Sequence, residues 1–421
     1  MAGVGGCRIL RWRGSTRNDL AVPMIASLRE RGIALLLAGA LLGVVGCAGS
    51  GDGSAPSSSP LPATTTLLAP LAEPVVPTGD AALDATLTGV ARFVETARGL
   101  PFKEPVRVDL MDSATFDARL VADQAAEIDQ VRRTERLLKA FGVIGPEVDF
   151  VAVATAALTS GVIGFYDPNT KALVVRGTEP NAFTRMVAAH ELTHALDDQW
   201  FDIDNAASMV DADRAYAYLA LVEGDATRVE EDYVASLTPL ERAEIQVTGS
   251  KMFSGVDLSA IPPSLQESLE SPYSAGRRFV EHVMKQGGLV RLDEVFASPP
   301  VSSAQILQPP RYDAGDLPVA VDPPAADGEA VDRGVFGAID ILDLLSVSLP
   351  AVTARAAADA WAGGSYVVWA DSARNCVRVD LAPVAGAMDT LDEAFTEWSR
   401  EVREASVARL GPDRLRATSC N

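Results

Sequence analysis

Gly161-Val162-Ile163-Gly164-Phe165-Tyr166 and Ala172-Leu173-Val174-Val175-Arg176 flank Asp167-Pro168-Asn169-Thr170-Lys171, and shortly after them the segment Asn181 to Trp200 carries His190-Glu191-Leu192-Thr193-His194. Two apolar runs around a short Pro- and Asn-containing stretch predict a β-hairpin. Thr178 and Pro180 supply helix-start chemistry, so the run that follows is predicted to be a helix. On a helix His190 and His194 share a face, both imidazoles can reach one metal ion, and Glu191 leans beside them within reach of a water molecule. Zinc readily takes two histidines and a carboxylate, and it keeps a fourth position open when the site is catalytic. The chain has only 3 histidines in 421 residues, and random placement gives this match about one time in a thousand. The plain alternative is a helix with two surface histidines beside a glutamate.

Two histidines from one helix turn fix only two corners of a tetrahedron, so a third protein group must come from elsewhere. Residues 213–233 read as a second helix with an apolar stripe at Ala217, Ala220, Leu221 and Val222, and within it stands Glu223-Gly224-Asp225-Ala226. A carboxylate embedded in apolar sequence is costly unless a cation neutralises it, which favours Glu223 as the ligand. Asp225, two residues on, points to a nearly opposite face. Glu230 and Glu231 sit in a polar stretch that reads as solvated. The competing reading is a solvated Glu223 beside a packing glycine.

These motifs resemble gluzincin-type zinc metallopeptidases, and among them a group of bacterial lipoprotein peptidases with an HELTHALxDQ helix followed by a helix bearing EGDA. The matching residues are His190-Glu191-Leu192-Thr193-His194-Ala195-Leu196-Asp197-Asp198-Gln199 and Leu221-Val222-Glu223-Gly224-Asp225-Ala226. Weaker similarity runs through Gly164-Phe165-Tyr166-Asp167-Pro168, Pro272-Tyr273-Ser274-Ala275-Gly276 and Pro299-Pro300-Val301-Ser302-Ser303-Ala304-Gln305-Ile306-Leu307, so it covers roughly residues 150–312. Where that group often has a histidine after the last segment, Gln308 stands here. The resemblance implies a zincin-like α+β fold, mainly helical, with a small sheet whose β-hairpin edge precedes the HExxH helix. It implies one Zn2+ per chain held by His190, His194 and Glu223, with Glu191 as general base in peptide-bond hydrolysis. A hairpin edge suits this chemistry, because an edge strand can pair with an extended peptide or protein substrate. Tyr273 and His282 are candidates for an oxyanion donor, each with an ordinary packing or surface role as its alternative. Asp198, four residues after His194, is a candidate to orient an imidazole, or else a solvated acid at the helix end.

The rest of the chain sets the context. Apolar residues make up 48% and charged residues 22%, which excludes a wholly disordered chain. A formal charge of −21, with no basic tract, excludes a nucleic-acid partner because phosphate is repelled. Arg29 and Arg31 precede an apolar run from Ile33 to Val45, shorter than the roughly 20 residues that span a bilayer. The run ends in Val44-Val45-Gly46-Cys47, which resembles a lipoprotein signal in which Cys47 is acylated. Residues 1–46 then form the signal peptide, with Met24 as an alternative start, and lipid on Cys47 anchors the chain to the extracytoplasmic face of the cell membrane. Residues 47–80, rich in Ser, Pro and Thr, read as a flexible tether, and 81–421 as the folded domain. Cys376 and Cys420 are the remaining cysteines in an oxidising compartment, so they are predicted to pair.

Elsewhere, 81–98 and 113–141 are predicted as helices and 106–111 as a strand, while 148–158 is strand or helix. A catalytic core of about 150–312 precedes a surface loop over 299–332 and a C-terminal α/β extension of about 331–421. In that extension 334–349 and 351–361 read as helices, 365–370 and 376–381 as a strand pair, and 390–410 as a closing amphipathic helix. Three functions fit the sequence: an envelope zinc peptidase, a catalytically silent zincin-fold binding or assembly lipoprotein, and a wall-associated lipoprotein in which the HExxH match is accidental. The anchor is testable by itself. Cys47→Ser is expected to release the protein from the membrane fraction or leave its signal uncleaved; unchanged retention and processing would show that Cys47 is not the lipid site.

Overall fold

The computed structural model of the chain describes residues 69–420 except 126–127, 178, 205–209, 253–262 and 372–373. The predicted signal peptide, Cys47 and most of the predicted tether lie outside the described residues, as does Thr178. The last part of the stretch predicted as tether is described and packs against the body. Val75 is buried and pairs with Val106, and Arg92 donates to the carbonyls of Leu71 and Ala72, so the packed body already includes this stretch. Helix α1 (Ala81–Arg98) then begins where the Asp80 side chain accepts from the N–H groups of Ala82 and Leu83, and it ends at Gly99 in the left-handed region.

The first half of the fold contains β1 (Arg107–Met111), α2 (Ser113–Ala125), α3 (Ile128–Ala140), α4 (Phe150–Gly161), β2 (Gly164–Asp167), β3 (Ala172–Arg176), α5 (Ala182–Phe201) and α6 (Ala212–Ser236). The stretch expected as one helix over 113–141 is helical on both sides of residues 126–127, which lie outside the described residues, and its apolar residues serve two cores. Phe116 and Leu120 of α2 pack with Val162, Phe165 and Val174 around the hairpin, whereas Val131, Leu137 and Leu138 of α3 join the main core. The open choice at 148–158 resolves as helix α4. β2 and β3 form the expected antiparallel hairpin, β1 adds parallel to β3, and the strand order β1-β3-β2 leaves β2 at an edge.

Next come α7 (Pro239–Met252), α8 (Pro263–Ala297), α9 (Ser303–Leu307) and α10 (Pro309–Asp313). The C-terminal part holds β4 (Glu329–Val335), α11 (Ala338–Ser346), α12 (Ala351–Asp359), β5 (Trp361–Asp371), β6 (Arg374–Pro383), α13 (Met388–Glu401), β7 (Ser406–Gly411) and β8 (Arg414–Cys420). The result is an α+β fold whose larger sheet, ordered β4-β5-β6-β8-β7, is antiparallel throughout and lies in the extension. The helix expected over 390–410 stops at Glu401. Leu415, Ala417 and Ser419 alternate inward along β8, a period-two pattern that only a strand satisfies. The helix expected over 334–349 begins only at Ala338, since Gly334 and Val335 complete β4. Cys376 and Cys420 face each other across β6 and β8 and form a disulfide. Among the described residues no helix is long and apolar enough to cross a membrane.

One connected set of buried side chains runs from Val75 to Ala417, and α5 lies inside it, buried continuously from Met186 to Asp198. The β2–β3 hairpin, α1, α6 and α7 pack around α5, and α8 backs α6. The α6–α8 crossing is made by backbone rather than side chains. A Cβ on Gly276 would lie 1.9 Å from the Ala220 carbonyl oxygen, and one on Gly224 would lie 2.3 Å from the Gly276 carbonyl carbon. Both glycines are therefore steric requirements of the crossing, and one of them adjoins Glu223. Gly276→Ala is expected to force the helices apart and destabilise the fold by about 2 kcal/mol or more, measured by chemical denaturation. A change below about 0.5 kcal/mol, the usual range for a surface substitution, would contradict this contact.

Candidate metal centre

Helix α5 starts at Asn181, whose side chain accepts from the Thr184 N–H at 3.0 Å, the capping role expected of the residues just before it. Eight residues into the helix, His190 presents one ring edge to α6, with His194 one turn further on. The Nε2 atoms of His190 and His194 are 3.1 Å apart, and Glu223 Oε2 from α6 lies 3.2 Å from the first and 3.3 Å from the second. Three donor atoms thus form a near-equilateral triangle. Bonds of 2.0–2.1 Å to a tetrahedral ion imply ligand-to-ligand edges of about 3.3 Å, so this triangle has the size of one coordination face.

The chemistry of the surrounding atoms agrees with a bound cation. His190, Glu191, His194 and Glu223 are all buried, and the donor atoms of His190, Glu191 and His194 lie within 4.8 Å of one another. Neither Glu191 oxygen has a hydrogen-bond partner, and Glu223 Oε1 has none. Buried, unpartnered carboxylate oxygens are costly, and a cation beside them is the natural compensation. In the metal-free protein burial pushes the Glu191 carboxyl up to about 8. Burial opposes the His190 charge, but hydrogen bonds to Glu223 and Glu230 prevail and push it up to about 10. Glu223 is held well below the usual carboxylate range, because the two imidazoles outweigh burial. A proton therefore resides among these groups when no metal does, so filling the site releases it and is favoured by rising pH.

Glu230 is the residue that sequence reasoning missed. Its Oε2 sits 2.8 Å from His190 Nδ1, which makes Nδ1 the donor and leaves the Nε2 lone pair for a metal. The polar stretch read as solvated divides in two. Glu231 does face the surface, where it pairs with Arg277, but Glu230 lies seven residues after Glu223, two turns on the same face, and turns inward. That spacing was the available signal. Asp225 points away from the triangle, as its phase requires, and pairs with Arg98 and Arg228.

The residues after the histidines each tie α5 to a different neighbour. Asp197 accepts from Arg98 of α1 at 2.9 Å. Asp198 Oδ2 accepts from the Tyr166 hydroxyl of β2 at 2.7 Å and from Lys171 Nζ in the hairpin turn at 2.5 Å. Instead of an imidazole or solvent, these partners make Asp198 the link between helix and hairpin. Gln199 Oε1 accepts from the N–H groups of Lys103 and Glu104, and its Nε2 donates to the Glu104 carbonyl. Of the two oxyanion candidates, the Tyr273 ring lies 6.3 Å from that of His190. His282 sits nine residues further along α8, about 13 Å along the axis, in a partly exposed cluster with Asp313 and Gln286. Gln308 caps α9 and donates to the Asp359 carbonyl of α12.

Compared with protein-family models, with curated proteins and with solved structures, the chain matches none. The centre is open to a direct test. Glu223→Ala is expected to weaken metal binding at least about tenfold and Glu230→Ala by about 10- to 100-fold, with Asp225→Ala weaker in effect than Glu223→Ala, all measured by competition against a chromophoric chelator. If Asp225→Ala strips the metal and Glu223→Ala does not, the ligand set is wrong.

Proposed function

We propose that the chain is a gluzincin-type zinc peptidase, exported and held at the membrane through Cys47. The observation that carries this reading is the buried triangle of His190 Nε2, His194 Nε2 and Glu223 Oε2 with the unpartnered Glu191 carboxylate beside it. Two imidazole nitrogens and one carboxylate oxygen suit zinc, whereas magnesium and calcium require mostly oxygen and an iron–sulfur centre requires thiolates. When bound there, zinc supplies Lewis acidity that lowers the pKa of a water molecule and polarises a substrate carbonyl.

The chain's own residues account for the rest of the chemistry. Glu191 accepts a proton from the attacking water and later delivers it to the leaving amine, so its carboxyl must change protonation readily near neutral pH. Burial raises the carboxyl in the metal-free protein, and a cation beside it would favour the ionised form that accepts a proton. Glu230 fixes the His190 tautomer, and Tyr273, whose ring lies 6.3 Å from that of His190, is the candidate donor to a developing oxyanion. The edge strand β2 passes next to the general base, with the Cβ position of Gly164 3.5 Å from Glu191 Cγ. An extended peptide added to that edge brings a scissile bond close to the carboxylate.

One observation favours a second reading. His190, Glu191, His194 and Glu223 are each no more than 1% exposed, which also suits a metal-bearing binding or assembly lipoprotein without turnover. Glu191→Gln separates the two. The amide keeps the shape but not the base, so the variant is expected to retain metal and fold while hydrolysis of an unstructured protein falls about 100-fold or more. Activity within a few-fold of the parent would refute Glu191 as the base, and no cleavage by the parent protein would leave the binding reading.

A further inference from the structure

The centre depends on how two helices sit against each other. Its histidines come from α5 and its carboxylate from α6, so a shift of about 0.5 Å between them already disturbs a productive ligand geometry. A single guanidinium touches both helices near the ligands. Arg98, at the last turn of α1, is fully buried; its Nε lies 2.9 Å from Asp197 Oδ1 of α5 and 2.6 Å from Asp225 Oδ2 of α6. Its NH1 reaches Asp293 of α8 at 3.2 Å, and the rings of Phe201 and Phe296 lie 5.6 and 5.5 Å from its central carbon. Asp197 stands two turns from His190 on the same face of α5, and Asp225 stands two residues from Glu223.

Resting on the metal-centre reading above, we infer that Arg98 is a positioning residue for that centre: by holding Asp197 and Asp225 on one guanidinium it sets the α5–α6 spacing at which Glu223 meets His190 and His194. Stability alone is a poor explanation for the cluster. Buried ion pairs recover their desolvation cost only when the geometry is excellent and the remaining atoms are satisfied, and here Arg98 NH2 lacks a hydrogen-bond partner. The anchor itself is rigid. The chain leaving α1 is clasped to the end of α5 by Gln199 and by Trp200, whose Nε1 donates to the Pro101 carbonyl at 2.9 Å. Arg228 holds the other oxygen of Asp225 at 2.8 Å, so the α6 carboxylate cannot rotate away.

The test is zinc affinity of the purified full chain in detergent, measured by chelator competition for the parent, Arg98→Lys, Asp197→Asn and Asp380→Asn. The last removes half of a distant pair with Arg416 and controls for lost stability alone. Lysine keeps the charge but not the Nε that faces both carboxylates or the NH1 that reaches Asp293. Arg98→Lys is expected to lose at least about tenfold in zinc affinity, by analogy with other supporting contacts, and Asp197→Asn about three- to tenfold. Asp380→Asn is expected to stay within about twofold even where its melting temperature falls. Far-UV circular dichroism confirms folding before titration, and if Arg98→Lys does not fold, Asp197→Asn decides. Parent-like affinity in the folded variants would overturn the positioning role while leaving the metal reading intact. No zinc binding by the parent would overturn both.

Discussion

Helix α5 is buried on all sides, yet between His190 and Asp198 it carries two imidazoles and three carboxylates. Desolvated polar groups of that kind persist only when each finds a partner, and much of the surrounding architecture supplies those partners. Asp197 has Arg98, Asp198 has Tyr166 and Lys171, and His190 has Glu230. Glu191 and the triangle of donor atoms remain, a group that could hold a metal ion. The need to compensate buried charge therefore explains both the binding capacity of the site and the way α1, α6 and the hairpin are arranged around it.

The same geometry requires close packing behind the site. Glu223 reaches the histidines because α6 is pressed toward α5 from its far side by α8, and α8 comes near enough only because Gly224 and Gly276 present bare backbone to each other. The small residues of the Glu223-Gly224-Asp225-Ala226 segment thus act in different directions: Glu223 toward the metal face, Gly224 toward α8, and Asp225 toward Arg98. Each is fixed by its phase on one helix.

Local patterns made part of this legible in the sequence. The hairpin, α5 and α6 follow from apolar periodicity and turn residues, and Glu223 is conspicuous as an acid among apolar neighbours. The cysteine pairing was constrained because only Cys376 and Cys420 remain once the predicted signal region is set aside. Glu230 was hidden because it differs from the exposed Glu231 only in helical phase. Arg98 was hidden for a different reason: its partners lie 99 residues or more along the chain, a distance at which spacing carries no information. Strand β7 was absorbed into the helix expected over 390–410, because its mostly exposed residues carry little period-two signal.

The central claim is that a metal held between α5 and α6 makes the chain a hydrolase. It is tested most directly by titrating zinc into the metal-free protein while following cleavage of an unstructured protein substrate. The account predicts that cleavage is absent without metal, rises in proportion to added zinc and saturates at one equivalent per chain. Cleavage that is indifferent to zinc, or absent at full occupancy, would contradict it.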